Sequence, residues 1–401
     1  MRILTINTVF SKGGAANIAR YLHTEINKTK GFTSIFAYGR GKQVNIKNTF
    51  KFGYDMEFFS HVFLTYITGL QGYGSYFSTK KLEKYILKNN FDIIHLHNLH
   101  GYYLDISFFN FLSKLKIPII WTLHDNWPIT GRCTYPFNCS RWKKGCGKCP
   151  NLSWYPKTFF DNSKLMWMLK KEQITKIKNL TLVCPSKWLA KRVTESYLKK
   201  YKITVIPNGI DTNFFRPYSE RNIKKIRDNL TLNNKKIILF IGADIKDKRR
   251  GLKYFIKSIS YLKREEWIIL LVGEKVNIKS NIDILQLGYI PRELLPFIYN
   301  IADIFCITSL EDNFPTTVLE SMSCGTPIVG FKVGGIPEQV SSNCGILVEP
   351  EDSKSLSESF YKIMEDNIKY KKYCKNSRKR VLSYFSLEKF KSRYLNLYVK
   401  L

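Results

Sequence analysis

Acidic side chains follow an apolar run in the last third of the chain. Residues 302–307 are almost all apolar, a pattern typical of a buried parallel strand. Glu311, Asp312 and Asn313 come shortly after this run, in a polar loop at the carboxyl end of the predicted strand. In open α/β sheets that end of a strand is where ligands bind, so these side chains are candidates for ligand contact.

A predicted helix start comes next and suits an anionic ligand. Pro315 favours the start, and residues 316–323 continue the helix. Its free backbone N–H groups and the positive end of its dipole suit a phosphate or diphosphate. Glu320 lies one turn further in, where a carboxylate can accept hydrogen bonds from sugar hydroxyls. An ordinary strand–helix–strand unit is the alternative, but it does not predict acids eight positions apart, at 312 and 320, flanking a helix start.

Two arginines follow another predicted strand, residues 236–242. Lys248, Arg249 and Arg250 stand together after it, and guanidinium groups bind diphosphate oxygens in bidentate fashion. A solvated basic helix start is the alternative. Because cations at a helix start oppose the dipole, the cluster would be unfavourable without an anionic ligand.

A glycine pair marks the first strand-to-helix turn. Residues 2–7 predict the first strand, and Gly13 and Gly14 precede the helix that follows. Glycines at such a turn let a ligand approach the backbone closely. The pattern is neither G-x-G-x-x-G nor a Walker loop, and a plain tight turn explains it equally well.

Histidines end two more predicted strands. His95 and His97 lie in the buried run 91–100, and His124 ends the run 117–124 just before Asp125. A metal site would need a convergent partner for the first two, and the sequence offers none. We therefore interpret His95 and His97 as structural or pocket-lining, and His124 as the better candidate for a binding role.

Four cysteines are clustered between residues 131 and 150 with the spacing C-x5-C-x6-C-x2-C. They are Cys133, Cys139, Cys146 and Cys149. Four thiolates with a terminal C-x2-C suit tetrahedral zinc, so we predict a structural zinc site. An iron–sulfur cluster is an alternative, but the surrounding sequence offers no redox partner for it. Four separate reduced thiols are the other alternative.

Several of these motifs together resemble a known family. Residues 308–327 resemble the E-x7-E region of retaining GT-B glycosyltransferases of family 4, with Asp312 or the adjacent Glu311 in the place of the first acid. Residues 207–211 match the interdomain P-N-G-[IV]-D, and residues 333–339 resemble G-G-[IVP]-x-E. Similar cysteine-rich insertions occur in the exopolysaccharide subset that includes colanic-acid-type transferases.

The resemblance implies an α/β fold with two Rossmann-like domains that face each other across a cleft. Residues 1–207 would form the acceptor-side domain with its insertion at 131–150. Residues 208–380 would bind the nucleotide sugar, and residues 381–401 would form a terminal helix crossing back to the first domain. It also implies retention of configuration, with no metal at the reaction centre.

On the donor side, the resemblance assigns roles to several residues. Glu320 would hold the ribose, and Asp312 or Glu311 would hold hydroxyls of the transferred sugar. Arg250 takes the place of the family's usual lysine, while Ala243 replaces its usual arginine. Arg249, Arg250 and the amides of Thr316 and Thr317 would then neutralise the leaving diphosphate.

On the acceptor side, the resemblance strengthens the case that three residues contact a ligand. Gly13 and Gly14 correspond to a glycine-rich loop that faces the donor phosphates and the acceptor. The match T-L-H-D around His124 resembles the family's sugar-contacting histidine, which would approach the sugar from the first domain.

Charge and apolar patterning suggest a surface partner. The chain of 401 residues has 64 lysines and arginines against 32 acids, a net charge of +32 spread along its length. An organism with a lysine-rich proteome is one explanation, and attraction to an anionic membrane surface is another. The aromatic region at residues 50–77 predicts either a core helix with a loop, which we favour slightly, or an interfacial segment.

The N-terminal residues predict a strand rather than a signal peptide, and no run of about 18 apolar residues occurs. We therefore expect a cytosolic protein, peripheral at the inner membrane, whose nine cysteines serve as thiols or metal ligands.

These observations predict a hexosyltransferase of cell-surface polysaccharide biosynthesis. It would use a nucleotide diphosphate-sugar as donor and an oligosaccharide or lipid-linked acceptor. We expect no nucleic acid partner and no cofactor for catalysis, while the four cysteines would hold a structural zinc. One alternative is a nucleotide-sugar epimerase of the same fold, for which no acid or base pair in the first domain has clear spacing. Another is a basic zinc protein that binds nucleic acid, which leaves the donor motif unexplained.

Overall fold

A seven-stranded parallel sheet organises the first half of the chain. In the computed structural model, which describes residues 1–232 and 235–401, its strands run in the order β3-β2-β1-β4-β5-β6-β7. They are β1 (Arg2–Val9), β2 (Thr33–Arg40), β3 (Thr49–Lys51), β4 (Ile93–Leu96), β5 (Ile119–Thr122), β6 (Leu180–Cys184) and β7 (Lys202–Val205). Parallel strands need crossover connections, and helices supply them.

The helices of this half are mostly short. They are α1 (Gly14–Asn27), α2 (Asp55–Thr68), α3 (Tyr76–Lys88), α4 (Ser107–Lys114), α5 (Ser163–Thr175) and α6 (Lys187–Thr194). The longest connection lies between β5 and α5 and contains the four clustered cysteines.

A six-stranded parallel sheet organises the second half, in the order β10-β9-β8-β11-β12-β13. Its strands are β8 (Lys236–Gly242), β9 (Trp267–Gly273), β10 (Asp283–Gly288), β11 (Ile304–Ile307), β12 (Ile328–Phe331) and β13 (Gly345–Val348). Its helices are α7 (Glu220–Asn229), α8 (Leu252–Ile259), α9 (Leu295–Ile301), α10 (Thr316–Ser323), α11 (Ile336–Gln339), α12 (Ser353–Met364) and α13 (Asn367–Tyr384). A last helix, α14, spans Leu387–Val399.

The chain divides into two compact units. Unit 1 contains Met1–Pro207 together with Phe390–Leu401, and unit 2 contains Asn208–Lys389. The chain thus returns to unit 1 at Phe390, within α14, whereas the sequence analysis placed the terminal segment from residue 381. Tyr398 of α14 hydrogen-bonds His95 of β4 at 2.8 Å, which ties the end of the chain into unit 1.

Both faces of the unit 2 sheet are buried. Along β8, Ile237 and Leu239 belong to one hydrophobic core, while Ile238 and Phe240 belong to a second core on the opposite face. Because side chains alternate along a strand, a strand covered on both sides must be apolar throughout. This explains the continuous apolar runs in the sequence and confirms the predicted α/β class with two parallel-sheet units.

Each sheet has one point where its strand order reverses. In unit 1 the reversal lies between β1 and β4, and in unit 2 between β8 and β11. At such a switch point the loops at the carboxyl ends diverge and leave a crevice. The predicted glycine pair and His97 follow β1 and β4, and the predicted arginines and acids follow β8 and β11.

Helix α2 differs from the slightly favoured prediction of a core helix. Only His61 and Thr65 of its residues are buried. Met56, Phe59 and Phe63 are 84%, 68% and 61% exposed, so the aromatic face of α2 lies on the surface of unit 1. Among the helices of the described residues, none is both long and apolar enough to cross a membrane.

Candidate active site

Three charged side chains meet at the switch point of unit 2. A guanidinium nitrogen of Arg249, Nη1, lies 2.8 Å from Oδ2 of Asp312, and Nη1 of Arg250 lies 3.5 Å from the same oxygen. Arg249 also faces Asp247, with Nε 3.5 Å from Oδ2. Asp312 is buried, and a buried carboxylate requires such a partner. Two guanidinium groups therefore share the Asp312 carboxylate, and one of them also faces Asp247.

The backbone fixes the two arginines against the acidic loop. Lys248–Arg250 form a 3-10 helix, and the N–H of Leu310 donates to the carbonyl of Arg249 at 2.7 Å. The hydroxyl of Thr308 donates to the carbonyl of Arg250 at 2.9 Å. Gly251, which ends the 3-10 helix at φ +67°, packs so closely that a Cβ there would lie 2.0 Å from the carbonyl oxygen of Thr308. Only glycine fits this position.

Asp312 is held from a second side by the glycine turn after β12. The N–H of Gly335 donates to the carbonyl of Asp312 at 3.1 Å, and a Cβ on Gly334 would lie 1.7 Å from that carbonyl oxygen. Glu311, the other candidate for the first acid, is also buried, and its backbone carbonyl accepts a hydrogen bond from Arg249 Nη1 at 3.4 Å. Asp312 forms ion pairs with both arginines.

Glu320 lies on α10 and is held by a phenol. Tyr299 on α9 donates its O–H to Oε2 of Glu320 at 2.8 Å. Burial raises the pKa of Glu320, while Tyr299, Arg292 and Thr316 act to lower it. Thr316 and Thr317 begin the helix, and the N-cap residue Pro315 makes no side-chain cap hydrogen bond. The start of α10 and Glu320 therefore belong to one helix end, as the sequence predicted.

Histidines line the switch point of unit 1. His97 Nδ1 and His124 Nε2 are 2.9 Å apart, and their rings stack. His95 is hydrogen-bonded on both ring nitrogens, to Tyr398 and to Thr122, each at 2.8 Å. Burial lowers the pKa of His95 to about 3 and that of His124 to about 4, and it lowers the pKa of His97 well below its usual value. All three are therefore neutral at pH 7.

A second polar group lies beside His124, and the sequence analysis did not select it. His100 Nε2 is 2.7 Å from Asp125 Oδ2, and the N–H of Trp127 donates to Asp125 Oδ1 at 2.8 Å. Burial acts to raise the pKa of Asp125, but His100 and the Trp127 N–H outweigh it, and the pKa is lowered. His100, Trp127 and Tyr155 line one cavity of unit 1. The sequence did contain one indication of this group, because Asp125 directly follows the selected His124.

Gly13 and Gly14 lie where α1 begins, after β1. Gly13 precedes the helix at φ +87°, and no side chain caps the first turn. A Cβ at either glycine would meet no atom within 4 Å. The backbone here is open to a ligand, as predicted for a glycine turn.

The four clustered cysteines line one cavity of unit 1, all half-buried. Burial, with a smaller contribution from the neighbouring cysteines, raises the pKa of Cys133 to about 12 and that of Cys146 to about 11. Within residues 1–232 and 235–401, no three Cys, His, Asp or Glu side chains are already arranged to hold a metal ion.

Comparison with protein families gives two matches that together span most of the chain. The profile of Glycosyltransferase Family 4 matches residues 12–214, which is just over half of the chain. The profile of Glycosyl transferases group 1 matches residues 222–380. The first covers nearly all of unit 1, and the second covers most of unit 2 with both arginines, Asp312 and Glu320.

Individual relatives agree with these profiles. The chain is 25% identical over 378 residues to a putative colanic acid biosynthesis glycosyl transferase, WcaC, of Escherichia coli K12, with 88% of each chain covered. It is 30% identical over 211 residues to an N,N'-diacetylbacillosaminyl-diphospho-undecaprenol α-1,3-N-acetylgalactosaminyltransferase of Campylobacter jejuni, covering 50% of this chain and 55% of that one. These matches give no support to an epimerase or to a nucleic-acid-binding protein.

Solved structures share the whole fold. Anabaena HepE in complex with UDP and glucose aligns with a TM-score of 0.70 at 15% identity, covering 100% of this chain and 99% of that one. The sucrose-phosphate synthase of Thermosynechococcus elongatus aligns with a TM-score of 0.73 at 18% identity, covering 100% and 98%. At these identities the likeness concerns the fold.

Proposed function

The chain belongs to Glycosyltransferase Family 4, and on that basis we propose that it transfers a hexose from a nucleotide diphosphate-sugar to a lipid-linked polysaccharide acceptor, with retention of anomeric configuration. The colanic acid enzyme of E. coli and the undecaprenol-linked enzyme of C. jejuni support a role in cell-surface polysaccharide synthesis at the cytoplasmic face of the inner membrane. The HepE complex supports a uridine nucleotide as the first donor to test.

The observation that carries this proposal is the pair of arginines on Asp312 at the switch point of unit 2. In the transfer, the bond from the anomeric carbon to the diphosphate oxygen breaks, and a bond to the acceptor hydroxyl oxygen forms. The hydroxyl proton passes to a basic oxygen, either of the leaving diphosphate or of a carboxylate such as Asp125. The bonding electron pair leaves with the diphosphate, so negative charge increases there. Arg250 and the first N–H groups of α10 are positioned to stabilise that charge.

The two arginines have different tasks in this proposal. The Arg249 side chain is 11% exposed and faces both Asp247 and Asp312, so it holds the acidic loop in place. The Arg250 side chain is 23% exposed and lies farther from Asp312. A diphosphate therefore competes for Arg250 at a lower cost than for Arg249.

Unit 1 supplies neutral groups for the acceptor. Since burial lowers the pKa of His124 to about 4, its imidazole is uncharged at neutral pH and can exchange hydrogen bonds with hydroxyls. The adjacent Asp125, paired with His100, keeps a carboxylate nearby that can accept a proton or a hydroxyl hydrogen bond. Uncharged sugar hydroxyls suit such a site better than phosphates do.

An exposed apolar surface on unit 1 supports attachment to the membrane that holds a lipid-linked acceptor. We call it the α2 patch, and it comprises Met56, Phe59, Phe63, Ile67, Phe77, Phe159 and Phe160, all exposed. The N–H of Phe77 donates to Glu57 at 2.7 Å, and the N–H of Phe159 donates to the carbonyl of Tyr66 at 2.8 Å. Both flanking segments are therefore attached to α2, and the apolar side chains form one surface.

Lysines border the α2 patch. Lys80 lies over the ring of Tyr76, Lys81 over that of Tyr54, and Lys157 over that of Tyr66. Apolar side chains rimmed by cations suit the interface of an anionic membrane. The excess of positive charge in the whole chain adds attraction at long range.

Thermal shift with nucleotide sugars tests the donor proposal. A ligand that binds only the folded state raises the melting temperature, so UDP-glucose and related donors should stabilise the protein in a concentration-dependent way. Arg250→Ala should lose most of the shift, whereas Lys248→Ala, an exposed cation of the same 3-10 helix, should keep it. No shift with any nucleotide sugar tested, and no transfer to lipid extracts, would overturn the proposal.

Flotation with vesicles tests the membrane proposal. The protein should float with phosphatidylcholine vesicles that contain phosphatidylglycerol, and binding should fall at 1 M salt, where screening shortens to ~3 Å. A double substitution, Phe59→Asp with Phe63→Asp, should abolish flotation. Ile368→Asp, an equally exposed apolar residue on α13, is the matched control. Equal binding to neutral and anionic vesicles would refute the electrostatic part.

A further inference from the structure

The connection between β5 and α5 has very little secondary structure. Every residue between Thr122 and Ser163 is described, and the only helix or strand among them is the 3-10 helix Arg141–Lys143. Connections longer than about 15 residues without structure of their own are uncommon in compact domains. Backbone turns hold parts of this segment, as in the 3.0 Å bond from the N–H of Cys146 to the carbonyl of Arg141. Side-chain contacts must supply much of the remaining order.

Four thiols converge in this segment. Cys133, Cys139, Cys146 and Cys149 line a single cavity, together with Arg132 and Trp154. The other five cysteines of the chain, at 184, 306, 324, 344 and 374, lie elsewhere, and four of them are buried. The cavity thus collects every half-buried thiol of unit 1.

The groups around the sulfurs are hydrogen-bond donors. The N–H of Gly131 donates to Cys146 Sγ at 3.1 Å, and Arg132 Nη1 lies 3.7 Å from Cys149 Sγ. Thiolates, rather than thiols, gain most from such donors, because a charged acceptor strengthens the hydrogen bond. These two donors would hydrogen-bond the thiolates once a bound metal ion has displaced the thiol protons.

The segment itself is basic. Between Asp125 and Asp161 the sequence has no acid but six lysines and arginines. Arg132 is 2% exposed and Lys170 is fully buried, and Lys170 Nζ donates to the carbonyl of Trp127 at 2.7 Å. A zinc ion with four thiolates carries a net charge of −2. Such a centre would compensate the buried Arg132 guanidinium, which otherwise costs free energy in a medium of low polarity.

The backbone of the C-x2-C turn is unusual. Four consecutive residues, 145 to 148, have positive φ, including Cys146 at 56° and Lys148 at 48°. For a residue with a side chain this conformation costs about 1 kcal/mol or more. The turn brings Cys146 and Cys149 to the same cavity as Cys133 and Cys139, so the strained conformation serves the convergence of the thiols.

We propose that Cys133, Cys139, Cys146 and Cys149 bind one Zn²⁺ ion in a closed tetrahedral site. Four sulfur ligands select zinc over magnesium, calcium or manganese, which prefer oxygen. With four protein ligands the ion has no open position, so its role is structural. Since the thiols are not yet arranged as ligands in this structure, binding draws them together and supplies ordering energy for the segment.

This ordering reaches the acceptor side of unit 1. Arg132 contacts Cys149 and also donates to the carbonyls of Asn151, Leu152 and Trp154 at 2.9, 3.2 and 3.1 Å, and to that of Pro156. The next side chain in that stretch, Tyr155, lies 3.4 Å from His100 and lines the same cavity as Trp127. The metal site thus fixes one wall of the proposed acceptor pocket through Arg132.

Elemental analysis of the full chain, purified without added metal or chelator, tests the proposal. We expect about one zinc per chain, released by a mercurial reagent that titrates the cluster thiols. Before the zinc is released, Cys374 should be the one half-buried thiol that reacts readily, because the four cluster thiols are bound to the metal. Cobalt exchanged into the reduced chain should give the sulfur-to-cobalt absorption of a tetrahedral site.

Two matched variants localise the metal. Cys146→Ser should reduce zinc content at least tenfold and lower the melting temperature, whereas Cys374→Ser, a half-buried thiol in unit 2, should keep full zinc occupancy. The stabilisation by UDP, if the donor proposal holds, should persist in both. If Cys146→Ser does not fold, the metal content and cobalt spectrum of the unmodified chain still decide the matter.

Three outcomes would overturn the proposal. The first is a zinc content near zero, with all cluster thiols reactive in the native chain and no cobalt uptake. The second is iron with inorganic sulfide instead of zinc. The third is a mass deficit that shows disulfides among the four cysteines in freshly purified protein. None of these readouts depends on transferase activity, so the zinc proposal can fail while the proposed function stands.

Discussion

The two switch points of this enzyme have the same topology but opposite chemistry. In unit 2, the guanidinium groups of Arg249 and Arg250 both lie within 3.5 Å of the Asp312 carboxylate. In unit 1, His95, His97 and His124 are packed together in their neutral form. All six histidines of the chain lie in unit 1 and none in unit 2.

The difference shows how the cost of burying charge limits which side chains each binding site can contain. Arginine stays charged in proteins, so unit 2 must include Asp312 to hold its cations while no ligand is bound. Histidine can release its proton, so unit 1 holds three neutral imidazoles, with His95 and His97 buried and His124 half-buried beside Asp125. A charged site suits a diphosphate, and a neutral site suits hydroxyls.

Acidification should change the stability of the two units in opposite directions. In the window from pH 6.5 down to about 4, the unfolded chain binds more protons than the folded chain, because burial lowers the pKa of His23, His61 and His124 to about 4. Each such histidine costs about 2 kcal/mol at pH 5. In unit 2 the raised pKa of Glu320 acts with the opposite sign, since protonation relieves its burial as pH falls.

Unit 1 should therefore unfold first as pH falls from 6.5 to 4. Tryptophan fluorescence can follow it, because six of the seven tryptophans lie in unit 1 and only Trp267 lies in unit 2. A single acid transition that involves both units together, or loss of unit 2 first, would contradict this comparison.

Removing the buried arginine should destabilise unit 2. Arg249→Ala leaves Asp312 buried without its 2.8 Å partner, and breaking such a pair costs about 3 kcal/mol. Calorimetry of the variant should show a lower melting temperature for unit 2 and an unchanged transition for unit 1. Arg249→Ala combined with Asp312→Asn should recover part of the loss, and a failure to recover would argue against this pair as the cause.

Removing the more exposed arginine should affect turnover instead. Arg250→Ala should reduce the transfer rate at least tenfold, because a hydrogen bond to a charged group contributes ~1.5–3 kcal/mol. Its melting temperature should change little, since Asp312 keeps Arg249. If Arg249→Ala slows turnover in the folded protein and Arg250→Ala does not, the two roles are exchanged.

The smallest expected effect concerns Glu320. Glu320→Gln keeps the size of the side chain but turns its carboxylate, which Tyr299 contacts, into a neutral amide. Losing one or two hydrogen bonds to a nucleotide should weaken donor binding by about three- to tenfold. Calorimetric titration with UDP measures this directly, and unchanged affinity would remove Glu320 from the donor site.

The sequence predicted the family and the fold class, and both predictions are confirmed. Local pattern was sufficient for α10 and β8, whose observed bounds equal the predicted ones. Apolar runs, glycine turns and proline at a helix start act between near neighbours, so their effects can be read along the chain. The roles assigned to His124, Asp312, Glu320 and the four cysteines stay predictions.

Contacts between distant residues were decided only by the tertiary structure. Which arginine approaches Asp312 most closely depends on how the 3-10 helix after β8 meets the loop after β11, about 60 positions later. The pairing of His100 with Asp125 depends in the same way on the adjacent strands β4 and β5.

Helix α2 shows the same limit most plainly. Its sequence is apolar on more than one side, so periodicity identifies the residues that share a face but not the face that is covered. The covered side is set by the neighbouring segments, which leave Phe59 and Phe63 exposed. The sequence by itself determined the elements and their order, because local propensity and alternation are short-range. The tertiary structure decided which side chains meet, because that depends on the packing of segments far apart in the chain.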